Sequence, residues 1–290
     1  MDAFLHQVIA GLATGGIYAS LALALVMIYN ATHHVNFAQG EMAMFATYLC
    51  WTMINAGWPY WGAFFSTVVI AFLLGAAIEL VIVRPVEQAP VLTVVVVFIG
   101  IIFILNSLAG WIYTYTIKSF PSPFPTSAPF GSHIISWHEL GAIGVTLIVL
   151  LLVYVFFRYT PLGLAMRAAS QNPESSRLVG IRVGWMLALG WGLAAAIGAT
   201  AGMMIAPIVF LDPNMMSGVI LYAFAAALMG GIDSPFGAVI GGFIVGVLEN
   251  LVGAYLIGTE LKLTVALVVI VGVLIVRPAG LFGKVIVTRV

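Results

Sequence analysis

Nine apolar segments, most of them close to the length of a helix that crosses a bilayer, take up most of this 290-residue chain. A transmembrane helix needs about 20 apolar residues to cover the hydrocarbon core. Hydrophobic residues make up 63% of the chain and charged residues 7%, a balance foreign to soluble domains. The sequence therefore predicts an all-α fold, a polytopic transmembrane helical bundle forming one domain over residues 1–290. The predicted spans are 4–30, 37–56, 61–83, 91–111, 140–157, 185–206, 217–232, 236–257 and 261–276.

The predicted number of crossings is eight or nine. Segments 217–232 and 261–276 are short for a full crossing, and Gly15 and Gly16 lie near the middle of the first segment. Each of these three segments is therefore compatible with a broken or re-entrant helix.

The distribution of basic residues predicts the orientation, because Lys and Arg favour short cytoplasmic loops. With nine crossings, only Lys118 and Lys262 lie on the outer side. This predicts a cytoplasmic C-terminus, a cytoplasmic loop at 158–184 and an outer loop at 112–139. The basic residues of the predicted cytoplasmic side are Arg84, Arg158, Arg167, Arg177, Arg182, Arg277, Lys284 and Arg289.

The 158–184 loop carries the start and stop signals of two short helices. Thr160 before Pro161 and Asn172 before Pro173 are typical of an N-cap followed by the first helical residue, and Gly180 is typical of a helix end. Two interpretations fit this segment: a docking site for a soluble partner, or a membrane-surface connection between two spans.

Other classes of site find little support. The net charge is zero, so a nucleic-acid partner is not expected. The single cysteine, Cys50, cannot form an internal disulfide, and the pair His33 and His34 lies at a predicted membrane boundary without further metal ligands nearby. We predict no metal and no catalytic residue.

Polar residues near or within the spans are the candidate pathway or gate residues. Glu249 and Asn250 would either line a hydrated pathway or bond neighbouring helices, and packing is favoured for Asn106. Asn36 is expected to cap the second helix, with Gln39 reaching back in a capping box and Glu41 near the positive helix end. A direct role of these three in the pathway is the alternative.

Three segments resemble the permeases of branched-chain amino-acid ABC importers, the LivH type. They are GLAMRAASQNPESSRLVGI at 163–181, NFAQGE at 36–41, and GGIDSPFGAVIGG at 230–242 followed by Glu249. Histidines at 33 and 34 and serines at 175 and 176 depart from the usual small residues of that family. The resemblance extends over nearly the whole chain.

This resemblance implies the permease subunit of an importer for branched-chain or other hydrophobic amino acids in the bacterial inner membrane. It implies a second related permease, two cytoplasmic ATPases that hold ATP and Mg, and a periplasmic binding protein, with membrane lipid around the spans. This chain itself would bind no cofactor. By position in the family's coupling segment, the resemblance assigns contact with the ATPase to Arg167, Asn172, Glu174, Arg177 and Gly180.

Two classes of protein are alternatives to an ATP-driven importer: an ion-gradient-driven transporter or channel, and a membrane-embedded enzyme. The chain contains no GxxxxGK[ST] loop, so any ATP must be bound by a partner. An ion-gradient-driven secondary transporter or channel for a small polar solute would be expected to carry several central ionisable groups, whereas Glu249 is the only central acid in the predicted spans. No histidine cluster or nucleophile motif supports an enzyme.

Overall fold

The computed structural model describes residues 2–125, 135–258 and 261–283. Within these ranges the regular structure is helical, apart from one isolated bridge between Lys118 and Leu211, so the all-α prediction is confirmed. The helices are α1 (Asp2–Thr32), α2 (Gln39–Asn55), α3 (Tyr60–Ile78), α4 (Val91–Tyr113), α5 (Trp137–Tyr159), α6 (Pro161–Gln171), α7 (Pro173–Leu178), α8 (Val183–Val209), α9 (Met215–Gly230), α10 (Pro235–Val252) and α11 (Lys262–Val276).

Each of the nine predicted spans coincides with an apolar helix of the described residues. Six helices are long and apolar enough to cross a membrane: α1, α4, α5 and α8, together with α3 and α10 and their continuations. A π-helical turn at Glu79–Val83 and a 3-10 turn at Arg84–Val86 extend α3, and a π-helical turn at Gly253–Ile257 extends α10. Helix α1 is continuous through Gly15 and Gly16. A count of eight or nine crossings stays a prediction.

Five arginines lie at one end of the bundle, where two hydrogen bonds connect neighbouring helices. The Ser170 hydroxyl of α6 donates to the Asn30 carbonyl in the last turn of α1 at 2.7 Å. Arg84, after α3, donates to the carbonyl of Gly184 at the start of α8. We call this the arginine end, and it holds Arg84, Arg158, Arg167, Arg177 and Arg182.

Aromatic side chains mark the opposite end, which we call the aromatic end. The Trp51 indole donates to the Ser119 carbonyl at 3.2 Å, and the Lys118 ammonium lies 5.2 Å from the centre of the Trp51 ring. The Thr52 hydroxyl donates to the Tyr113 hydroxyl at 2.9 Å. Part of the predicted outer loop 112–139, Lys284 and Arg289 lie outside the described residues.

Glycine faces bring α1 and α10 into close antiparallel contact at the centre of the bundle. A Cβ atom on Gly15 would lie 3.0 Å from the Gly242 carbonyl oxygen, and one on Gly11 would lie 2.7 Å from the Cα atom of Val247. Small residues at such positions let helix backbones approach in a membrane. Gly11 and Gly15 therefore serve a contact within this chain.

Candidate functional site

The polar segment between α5 and α8 folds as the two capped helices predicted from its sequence. The Thr160 hydroxyl accepts a hydrogen bond from the Gly163 backbone N–H at 3.0 Å, which caps α6. The Asn172 side-chain oxygen accepts one from the Ser175 N–H at 2.9 Å, which caps α7. Both caps satisfy N–H groups that a helix start leaves without partners. Two short helices joined at Asn172 are thus confirmed.

The end of α7 presents apolar side chains to the surface. Leu178 is 89% exposed and Val179 is 76% exposed. They precede Gly180, whose φ of +85° turns the chain toward α8, a conformation that glycine adopts without strain. Sequence reasoning did not single out this pair, although an apolar pair directly before a glycine stop in a polar loop is a usable signal.

The five predicted coupling residues separate into two groups. Arg167 lies on α6, where it is exposed and lines an apolar cavity. Met166 and Ala169 of the same helix are buried and also line this cavity. The remaining four are exposed on or beside α7: Asn172, Glu174, Arg177 and Gly180.

Arg84 joins the end of α3 to the start of α8. Its guanidinium donates to both carboxylate oxygens of Glu79, at 3.1 and 2.8 Å, and also to the Gly184 carbonyl. The Glu79 carboxylate is 2% exposed, so this charge depends on Arg84. No local pattern in the sequence predicts Gly184 as the third member of this group.

The residues at 36–41 connect α2 to α8 and do not cap α2. The helix begins at Gln39 after Ala38, which provides no side-chain cap. The Asn36 side-chain oxygen accepts from the Ala38 N–H at 3.0 Å, and its amide donates to the Gln39 oxygen at 3.2 Å. The Gln39 amide donates to the Ala194 carbonyl of α8 at 2.8 Å. The predicted capping box is wrong, because Gln39 is fully buried and turned toward α8.

Glu41 differs from these neighbours because its pairing is incomplete. The Glu41 carboxylate lies beside the Asn106 side chain, and its Oε2 atom is buried without a hydrogen-bond partner among the described residues. Asn106 also donates to the Pro213 carbonyl at 2.8 Å and to the Asn214 side chain at 3.2 Å. Packing, the favoured interpretation of Asn106, agrees with these bonds.

Glu249 and Asn250 lie in a buried polar cluster between α1, α10 and α11. The Tyr18 hydroxyl donates to one Glu249 oxygen at 2.7 Å, and the Lys262 ammonium lies 3.9 Å from the other. Lys262 also donates to the Asn250 oxygen at 3.3 Å, and the Asn250 amide donates to the Thr14 hydroxyl at 3.0 Å. These internal partners favour the packing interpretation for both residues.

Comparison with known proteins identifies a family for this chain. A protein family described as "Branched-chain amino acid transport system / permease component" matches residues 7–274. This chain belongs to that family. The permease is thus a multi-pass membrane protein of a transport family, and the predicted resemblance is confirmed.

Two curated relatives are similar over nearly the full length of the permease. One is the "High-affinity branched-chain amino acid transport system permease protein LivH" of Escherichia coli (strain K12), 32% identical over 297 residues that cover 97% of this chain and 96% of the relative. Another is the permease protein BraD of the same kind of system in Pseudomonas aeruginosa, 28% identical over 304 residues with the same coverage of 97% and 96%.

A comparison of folds gives a weaker likeness. A chain of the structure described as "PsaBC from Streptococcus pneumoniae in complex with Fab" superposes with a TM-score of 0.48 at 14% identity, over 96% of this chain and 91% of that chain.

Proposed function

We propose that this permease is the membrane-spanning subunit of an ATP-driven importer for branched-chain or other hydrophobic amino acids in a bacterial inner membrane. The observation that carries the proposal is the α6–α7 segment. In this member of the family, the segment forms a capped and exposed surface. Leu178 and Val179 are apolar and project from a polar segment, which is typical of a surface that a partner covers.

The proposed partners follow from this arrangement and from the family. Two cytoplasmic ATPases hold ATP and Mg, and one of them binds α7 around Leu178, Val179 and the predicted residues Asn172, Glu174 and Arg177. A second related permease completes the pore, and a periplasmic binding protein delivers solute at the aromatic end. The two relatives are permease proteins of high-affinity branched-chain amino acid transport systems, which supports the solute class.

Helix α7 is connected to the bundle at both of its ends. Beyond Gly180 the chain enters α8, where Gly184 is bonded to Arg84 and so to the end of α3. On the other side, α6 is bonded to the end of α1 through Ser170 and Asn30. We propose that approach of the ATPases moves α6 and α7 and thereby shifts α1, α3 and α8 together.

Glu41 is the candidate that best suits the solute pathway. One of its carboxylate oxygens is buried and has no hydrogen-bond partner among the described residues, so it can accept from a solute ammonium group or from water once the pathway opens. The polar groups of Asn36, Gln39, Glu249 and Asn250 already bond within the chain. We propose that Glu41 faces the pathway and that these four hold the helices beside it.

The alternative, an ion-gradient-driven transporter or channel, has less support. A central carboxylate that carries protons is expected to face a water-filled pathway. Glu249 is instead held by Tyr18 and Lys262 and is 6% exposed. The arrangement is that of a structural ion pair.

The test is reconstitution of the purified assembly in proteoliposomes, with measurement of amino-acid uptake and solute-stimulated ATPase activity. In the double variant Leu178→Ser/Val179→Ser, we expect ATPase co-purification and stimulated activity to fall at least about tenfold. Burying each such side chain contributes about 1.5–3 kcal/mol to association. The matched control is Leu164→Ser on α6, an exposed leucine outside α7 that is expected to leave both measurements unchanged. Full uptake in the absence of any ATPase subunit would disprove the proposal.

A further inference from the structure

A cavity of about 540 Å³ opens at the arginine end between α1, α5, α6, α8 and α10. Asn30 in the last turn of α1, Arg158 in the last turn of α5 and Met186 near the start of α8 all line it. The cavity therefore begins where these helices reach the edge of the bundle. Its volume lies within the range of sites that bind discrete small molecules.

The interior of the cavity is apolar and runs into the bundle. Leu23, Met27, Leu150, Val153 and Val239 line its deeper part. From Arg158 back to Leu150, α5 descends about 12 Å at the helical rise of about 1.5 Å per residue. A cavity of this depth beside the ends of apolar helices has the shape and chemistry that suit a hydrocarbon chain.

The mouth of the cavity is positively charged. Arg158 and Arg167 line it, one from α5 and one from α6, and no carboxylate is among the lining residues. Both guanidinium groups are exposed, and neither forms a salt bridge within residues 2–125, 135–258 and 261–283. Two arginines above an apolar interior complement a ligand with an anionic head and a hydrocarbon tail.

We propose that this cavity is a binding site for one anionic phospholipid. The lipid phosphate lies between Arg158 and Arg167, and one acyl chain occupies the apolar interior beside Leu150 and Val153. Basic pockets between transmembrane helices at a membrane surface are a known setting for anionic headgroups. The site does not depend on the proposed transport function, because its geometry belongs to this chain alone.

A bound lipid would join the end of α5 to α6. Arg158 and Arg167 would share one phosphate, while the acyl chain would contact both α8 and α10. Because α6 leads into α7, we expect occupancy to fix the position of the segment that is proposed to bind the ATPase. Anionic lipid would then be required for full coupling, although lipid binding itself would need no ATP.

Native mass spectrometry of the delipidated assembly, titrated with dioleoyl phosphatidylglycerol or dioleoyl phosphatidylcholine, tests the site directly. We expect one tight phosphatidylglycerol site and weaker binding of phosphatidylcholine. Arg158→Gln and Arg167→Gln should each weaken phosphatidylglycerol binding about fivefold, the effect of one basic group near an anionic headgroup. Arg182→Gln, with the same loss of charge outside the cavity lining, should bind as the unmodified protein does.

A second variant separates the acyl-chain site from a headgroup contact at the surface. A Cβ atom on Gly190 would lie 3.6 Å from the terminal methyl carbon of Met166, facing into the cavity without a clash. Gly190→Leu should therefore fill the cavity and weaken binding of both lipids while both arginines remain. Excess glycerol phosphate should not displace phosphatidylglycerol, because it lacks the chain.

Three results would overturn the proposal. They are equal affinity for the two lipids, unchanged binding in the Arg158→Gln/Arg167→Gln variant, and a cryo-EM map in which a helix of the second permease fills the cavity. ATPase stimulation is measured on the same samples. Absence of the lipid site with intact stimulation would count against the lipid proposal alone, whereas lipid binding without stimulation would count against the proposed function alone.

Discussion

Arg84 makes two kinds of contact with one side chain. It neutralises the buried Glu79 and also donates to a backbone carbonyl at the start of α8. The Glu79 carboxylate is 2% exposed, whereas the Arg84 side chain is 34% exposed. The pair therefore spans the boundary between the apolar interior and the surface. Removing one partner of such a pair leaves a charge with little solvent to stabilise it.

We expect Arg84→Gln to lower the free energy of unfolding by about 2 kcal/mol, because the Glu79 carboxylate loses its charged partner and Gly184 loses a donor. Thermal unfolding of the detergent-solubilised protein measures the effect. The double variant Glu79→Gln/Arg84→Gln should recover much of the loss, since it buries no unpaired charge. Arg182→Gln, an exposed arginine, should change stability by less than about 0.5 kcal/mol. A single Arg84→Gln variant as stable as the unmodified protein would contradict this account.

Residues whose partners are local were predictable from the sequence, and residues whose partners are distant were not. Thr160 and Asn172 bond an N–H three residues away, so their spacing alone predicts the caps. Gln39 has the same spacing from Asn36 and its side-chain oxygen accepts from the Asn36 amide, yet its own amide donates to Ala194, which is 155 positions away, and not to the Asn36 backbone. Capping patterns describe only local competition, and here a buried contact with α8 decided the outcome.

Helices α1 and α10 approach each other closely, and glycine makes this approach possible. A Cβ atom on Gly246 would lie 2.5 Å from the Gly11 carbonyl oxygen and closer still to the backbone of Gly15. Backbone atoms of a helix cannot rotate away as a side chain does. The contact therefore depends on the absence of a single carbon atom.

Gly246→Ala is expected to destabilise the protein by about 1–3 kcal/mol, because α1 and α10 must separate to admit the methyl group. Gly100→Ala on α4 is the matched control, since a Cβ atom there would meet nothing within 4 Å. Alanine favours a helix over glycine, so the control should be neutral or slightly stabilising. Unfolding temperatures of the two variants provide the comparison, and equal shifts would refute the proposed role of Gly246.

The apolar segments were predictable as helices, because length and hydrophobicity dictate a helix. Which neighbour each helix face contacts was not predictable. Repeated small residues mark a close contact without naming the partner helix. In the structure, Gly11 and Gly15 meet Gly242 and Gly246, which are more than two hundred residues away. Only the assembled bundle shows that these faces are internal.

At the scale of the whole molecule, the two ends differ in chemistry in a way that predicts orientation. Helix α1 runs antiparallel to α10, so Asp2 belongs to the aromatic end and Asn30 to the arginine end. The segment after α11 returns to the arginine end, where the Leu281 N–H donates to the Met229 carbonyl at 2.8 Å. By the preference of basic residues, the arginine end should face the cytoplasm.

Cysteine labelling tests this orientation, since Cys50 is the single cysteine and is buried. In a Cys50→Ala background, a membrane-impermeant maleimide added to spheroplasts should label Asp2→Cys and Ser119→Cys. Gln88→Cys and Ser175→Cys, exposed positions of the arginine end, should react only after the membrane is opened. The opposite labelling pattern would mean that the orientation is reversed and that α7 cannot contact a cytoplasmic ATPase. Labelling of Asp2→Cys and Ser175→Cys from the same side would mean that one of α1–α5 does not cross, which would contradict the predicted path through the membrane.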